Sequence, residues 1–162
     1  LEKYSPSRQQ LKTYLLKKYL TKFNNSKSKK DLSNIIDKVL INLEKNKLIS
    51  DELYSDSKSR VLLRRGYSIN RISQSLRQKG IKSEFIEKSI KKIKDDKIEP
   101  DFTSALKLCK RRRIGALRPG TNRELFYKKD MGILARAGFS FELSKRILDL
   151  DIEEFNKLIK II

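Results

Sequence analysis

Lys110, Arg111, Arg112 and Arg113 follow one another without a break, and Arg118 stands shortly after them. Guanidinium groups donate forked hydrogen bonds to phosphate and carboxylate oxygens and keep their charge at any physiological pH. A four-residue run winds fully around a helix, so its members face every direction and one of them must find special company. A second group sits between apolar residues. Ile69, Ile72 and Leu76 step by three and four, which gathers Arg71, Gln74 and Gln78 on the opposite helix face, with Asn70 and Arg77 on its flank. Arg and Gln bond phosphate, amide or carboxylate, so this face can recognise a partner. Arg60 and Arg64, one helical turn apart, and the adjacent Arg65 complete the candidate binding set. The bland alternative is a solvated face, or, for Arg60 and Arg64, stems packed on the core edge. Tyr67, Phe139 and Phe141 flank turn glycines; base stacking is open to them, but helix stapling is the expected role.

Other chemistry drops out. The chain has no His, which removes His triads and His-ligated zinc. Its single Cys109 excludes an intrachain disulfide and any paired-thiol metal site. Cys109 lies one turn from Ala105 and two from Phe102, a core spacing rather than that of a nucleophile. Asp95, Asp96, Glu153 and Glu154 are helix-end and surface acids with no acid–base partner. No catalytic residue, metal or cofactor is expected.

Among the 162 residues, 39 are Lys or Arg against 20 Asp or Glu, a net charge of +19 spread along the whole chain. Such self-repulsion points to a polyanionic partner or a carboxylate-rich surface. No run approaches the length of a membrane span, and Leu1–Tyr4 have no signal-peptide core. A cytoplasmic protein without a membrane partner is expected, and the lack of an initial Met reads as trimming or processing.

The elements that position these groups are helices. Leu32, Ile35, Ile36, Val39, Leu40 and Leu43 form one apolar stripe. Phe85, Ile86, Ile90 and Ile93 form another, Leu143, Ile147 and Leu150 a third, and Ile152, Phe155, Leu158, Ile159 and Ile162 a fourth. Period-two alternation is nearly absent, so the class is all-α. Ser68 caps a helix over 69–79 that Gly80 ends in the left-handed region. Asp51 and Glu52 open a helix to Arg65 that Gly66 closes, and Ser83 begins one with acids first and lysines last. Residues 20–30 read as a loop or an extended helix end, and Arg118–Asn122 as a turn.

Self-comparison reveals a repeat of about 50 residues. Ser68, Ile72, Leu76 and Lys79 repeat the spacing of Ser7, Leu11, Leu15 and Lys18. Leu76, Gly80, Phe85 and Ile90 share the spacing of Leu134, Gly138, Leu143 and Leu148. The expectation is an elongated tandem array of three-helix repeats in three copies. The first (1–49) lacks its opening helix, the second (50–98) is complete, and the third (99–162) carries a basic insertion and a C-terminal helix.

Leu48–Tyr54, Arg64–Ser68, Leu76–Ile81 and Leu134–Ser140, in this order and spacing, resemble the RecX family of recombinase regulators, and Arg111–Gly115 with Arg118 and Pro119 is similar to its alphaproteobacterial branch. The chain departs from the family pattern in three ways: Asn46 and Lys47 replace the usual Gly before Leu48, Ser50 replaces an Asp, and the first opening helix is missing. The resemblance implies a monomeric, non-catalytic modulator of RecA. Such a protein lies in the groove of the RecA–single-stranded-DNA filament and suppresses strand exchange, ATPase and coprotease activity, with roles in DNA repair, recombination and the SOS response. The rival reading is a general DNA-binding protein working through net charge alone. An RNA-associated basic protein ranks lowest, since no RNA-binding motif is present.

Overall fold

A computed structural model describes residues 6–20 and 29–161. Among them every element is helical: α1 (Arg8–Leu20), α2 (Lys29–Lys45), α3 (Asp51–Arg64), α4 (Ile69–Gln78), α5 (Ser83–Asp96), α6 (Pro100–Arg112), α7 (Gly120–Arg136), α8 (Phe141–Leu148) and α9 (Ile152–Ile161). A 3₁₀ turn, Gly115–Leu117, joins α6 to α7. Of the segment read as a loop, Leu20 ends α1 and Lys29 begins α2; residues 21–28, like Ile162, lie outside the described residues.

The chain forms two compact units. The first is Leu1–Ser57 with Leu76–Ser89, the second Lys58–Ser75 with Ile90–Ile162. The division passes within α3, α4 and α5. In the first unit Ile36, Leu40 and Ile49 are buried, with Leu11, Leu15, Leu16, Leu32 and Leu43 packed on them. The predicted α2 stripe is therefore wider than its buried face, because Ile35 and Val39 remain exposed. In the second unit α6, α7, α8 and α9 enclose Leu106, Leu134, Ile147, Leu148 and Phe155. Cys109 joins this core, and burial together with the nearby Asp130 charge pushes its thiol up to about 12. A thiol so raised stays protonated and unreactive at neutral pH.

Helix ends follow one design. α2, α3, α4, α6 and α7 close with paired hydrogen bonds that reach back over the last turn, as from Gly138 N–H to Ala135 O and Phe139 N–H to Leu134 O. The pattern needs a left-handed residue just past the helix. Gly80 fills that place at φ 75° and Gly138 at φ 92°, but at the end of α2 it is Lys47, at φ 56°. The position where the family pattern has Gly thus keeps the glycine conformation without the glycine, at a steric cost of about 1 kcal/mol.

Two expectations need correction. The predicted turn at 118–122 is shorter, since Gly120, Thr121 and Asn122 are already the first turn of α7. Pro119, which has no N–H to satisfy, caps that helix, and Asn122 N–H closes the turn on Pro119 O at 2.9 Å. Phe139 is buried and Tyr67 packs on the core, but Phe141 is 65% exposed and staples nothing.

Candidate partner-binding cleft

Three pins in the second unit bring distant arginines together. Ser68 Oγ accepts from Arg71 N–H at 3.1 Å and donates to Gly138 O at 2.7 Å, while Ser68 N–H donates to Ala137 O at 3.0 Å. The start of α4 is thereby fixed against the end of α7. Ile69 N–H, otherwise an orphan of the first helical turn, donates to Asp101 Oδ1 of α6 at 2.7 Å. Ser104 Oγ lies 3.1 Å from Leu63 O and 2.9 Å from Tyr67 O, which ties α6 to the end of α3.

The result is a cleft of about 260 Å³ lined by Arg71 of α4, Arg111 and Arg112 of α6, and Arg136 of α7. Tyr67, Leu108, Ile133 and Ala137 make the rest of its wall. All four arginines are exposed. Among the described residues no carboxylate pairs with any of them; Arg71 has only Gln74 Oε1, at 3.5 Å. Gly132 leaves room for Arg136 to fold back along its own helix, its Nη1 3.3 Å from where a β-carbon would stand. Arg111, Arg112 and Arg136 sit in last helical turns, where the macrodipole favours cations without a paired acid.

The cleft unites Arg71, Arg111 and Arg112 from the sequence-based set and adds Arg136. That residue stands in the Leu134–Ser140 string, but its lone position among small residues gave no sign of a cluster. The rest of the set lies elsewhere. Lys110 and Arg113 are exposed beside the cleft without lining it. Arg113 takes the left-handed place after α6, at φ 54°. Arg60 meets Asp96 at 3.8 Å on the surface. Arg64 and Arg65 are exposed at the end of α3, and Leu53, on the Arg60 and Arg64 side, is itself 69% exposed, so no core edge lies there. Arg77 and Gln78 are exposed on the last turn of α4.

Arg118 is held inside the fold. Its Nε and Nη2 donate to Asp130 at 2.6 Å each, and its guanidinium lies 4.5 Å from the Phe126 ring centre. Asp130 is 1% exposed and also accepts from Gly115 N–H at 3.1 Å. The hydrogen-bonded carboxylate raises the Arg118 pKa further above its ordinary value. This clasp fastens the connection after the α6 arginines onto α7, so Arg118 positions the cluster from within.

Among the described residues no His, Cys, Asp or Glu cluster has the makings of a metal site, and no helix is long and apolar enough to cross a membrane. The chain is basic, helical in all its described elements, and carries an arginine-lined cleft. Residues 50–90 match the family described as RecX, second three-helix domain. The chain is 33% identical over 153 residues to the regulatory protein RecX of Myxococcus xanthus (strain DK1622), covering 92% of this chain and 80% of that one. It belongs to the RecX family. No solved structure matches it.

Proposed function

We propose that this chain is a regulator of the RecA recombinase, binding the RecA–single-stranded-DNA filament and restraining its ATPase, strand exchange and coprotease activity. It acts as a cytoplasmic monomer without catalysis, metal or cofactor. Family membership supports the RecA partner. The observation that carries the contact surface is the cleft in which four arginines converge with no internal acid. Four like charges gathered on one exposed surface repel one another, and no acid among the described residues offsets them, so such a cluster favours an external anion. The same serine joint in both units, Ser7 in one and Ser68 in the other, supports the reading of the chain as tandem three-helix repeats.

The test is inhibition of the DNA-dependent ATPase of RecA at one fixed salt concentration. Arg112→Glu with Arg136→Glu is expected to weaken inhibition by about 1–3 kcal/mol per lost charge-assisted contact, with the fold intact. Lys29→Glu, the same type of charge change on exposed α2, is expected to matter far less. Equal losses per charge changed would replace this reading with general DNA binding through net charge.

A further inference from the structure

We propose that Lys107 is an acyl-acceptor site, whose side-chain amine takes an acetyl group from acetyl phosphate or a related small acyl phosphate. The site lies apart from the arginine cleft, in a second basic crevice of the second unit, and does not depend on the RecA reading. Arg64 at the end of α3, Lys97 just after α5 and Lys107 on α6 line this crevice with Leu63, Pro100 and Thr103, and no carboxylate lines it. Its volume of about 10 Å³ leaves room for little more than one water molecule. The Ser104 bond to Leu63 O, at 3.1 Å, holds α6 against the last turn of α3 and keeps Lys107, three residues on, in this company. Lys107 is half-buried, and among the described residues no acid pairs with it. Loss of hydration, and after it the charge of Lys97, lowers its pKa from the ordinary lysine value. An amine beside another cation gives up its proton more readily, and only the free amine attacks an acyl carbon.

The crevice also selects the donor. In an acyl phosphate the anionic group stands one oxygen away from the acyl carbon. Arg64 and Lys97 therefore hold the phosphate while the carbonyl carbon faces Lys107. A coenzyme A thioester carries its phosphates at the far end of a long neutral arm, away from cations this close to the amine. In the transfer the ammonium first loses a proton to water. The amine lone pair then attacks the carbonyl carbon, a C–N bond forms and the C–O bond to phosphate breaks. Phosphate leaves with that electron pair and takes the second proton as hydrogen phosphate. The amide product is neutral, so one cation is removed from α6, one turn before Arg111.

The experiment incubates the full chain with acetyl phosphate and follows acetylation at each lysine by peptide mass spectrometry. Lys107 should react about threefold or more faster than Lys91, an exposed lysine of α5 read in the same molecules. Lys97→Gln and Arg64→Gln should each slow Lys107 about twofold or more and leave Lys91 unchanged, and Lys97→Arg, which keeps the charge, should restore the rate. Acetyl-coenzyme A at equal concentration should show a smaller preference for Lys107. Reaction at Lys107 no faster than at Lys91 would overturn the site. A Lys107 rate indifferent to both Gln variants would overturn the crevice as its cause. A preference of equal size with acetyl-coenzyme A would overturn the acyl phosphate as the donor.

Discussion

Ser7 and Ser68 begin α1 and α4 with the same hydrogen bonds and a different economy of partners. Each hydroxyl accepts from the N–H three residues on and donates to a carbonyl of a distant turn, Lys79 O for Ser7 and Gly138 O for Ser68. The next N–H in each case goes to an aspartate, from Arg8 to Asp51 at 2.8 Å and from Ile69 to Asp101 at 2.7 Å. The difference lies in the serine's own N–H. Ser7 N–H donates to the Gln10 side chain at 3.1 Å, closing a capping box within α1. Ser68 N–H donates instead to Ala137 O. Position three of α4 is thus released from capping, and Arg71 stands there with its charge in the cleft. The first unit spends its cations differently: Lys12 meets Asp37 at 2.6 Å, and Arg8 lies 3.4 Å from both Asp37 and Glu44. One joint serves stability in one unit and frees an arginine in the other.

Breaking the joints from their glycine side gives the largest losses. A β-carbon at Gly138 would strike Ser68 Oγ and come within 2.6 Å of Arg71 Cβ. Ser68 is buried and committed to the cap, so it cannot yield without losing its bonds. Gly138→Ala is expected to destabilise by about 2–4 kcal/mol, from left-handed strain plus overpacking. At Gly80 the new carbon meets Gln9 Cβ at 2.6 Å, an atom fixed to the backbone of α1, but no committed hydroxyl. Gly80→Ala should cost somewhat less, about 2–3 kcal/mol. Urea unfolding of both variants measures the gap, and equal losses would mean that the two joints are equally constrained.

The capping residues sharpen the comparison at smaller cost. Gln10→Ala leaves the Ser7 N–H without its acceptor and should lose about 1 kcal/mol. Arg71→Ala, at the matching place, should stay within about 0.5 kcal/mol, since Arg71 caps nothing. Thermal unfolding of the pair decides it. A large loss from Arg71→Ala would show a structural duty for this side chain and weaken its assignment to the partner surface.

Much of this arrangement was legible in the residues. The three-and-four stepping of Ile69, Ile72 and Leu76 exposed Arg71, and Ser68 with Gly80 marked the ends of α4, because caps and left-handed turns leave local chemical signatures. The convergence of Arg71, Arg111, Arg112 and Arg136 was not legible. It depends on pins such as Ser68 to Gly138, seventy residues apart in sequence and invisible to any local pattern. Arg118 misled for the same reason. Its neighbours are basic, so it read as part of the exposed cluster, whereas its partner Asp130 lies on another helix at a buried position that periodicity would give to an aliphatic residue. Phe141 misled in the opposite sense: an aromatic after a turn glycine usually packs, but here it follows the Ser140 cap on the solvent side of α8.

The aspartates of the joint provide the smallest effect and a pH signature. Burial raises the Asp101 carboxyl above its ordinary value, against the opposing pull of the Ile69 N–H bond and the Lys94 charge. A carboxylate whose folded pKa exceeds its unfolded one binds its proton more tightly in the native state. Its contribution to stability therefore falls as pH rises from below the unfolded value, 3.8, through the folded one, and the penalty stands in full above both. Asp101→Asn keeps a carbonyl oxygen for the Ile69 N–H and has no proton to lose. Relative to the parent, this variant should gain stability as pH is raised from 3 to 7, by a fraction of about 1 kcal/mol, the scale of a single pKa unit. Urea unfolding across that range is the measurement. A variant that instead loses ground with rising pH would show that the Asp101 charge stabilises the start of α4 through its macrodipole by more than burial costs.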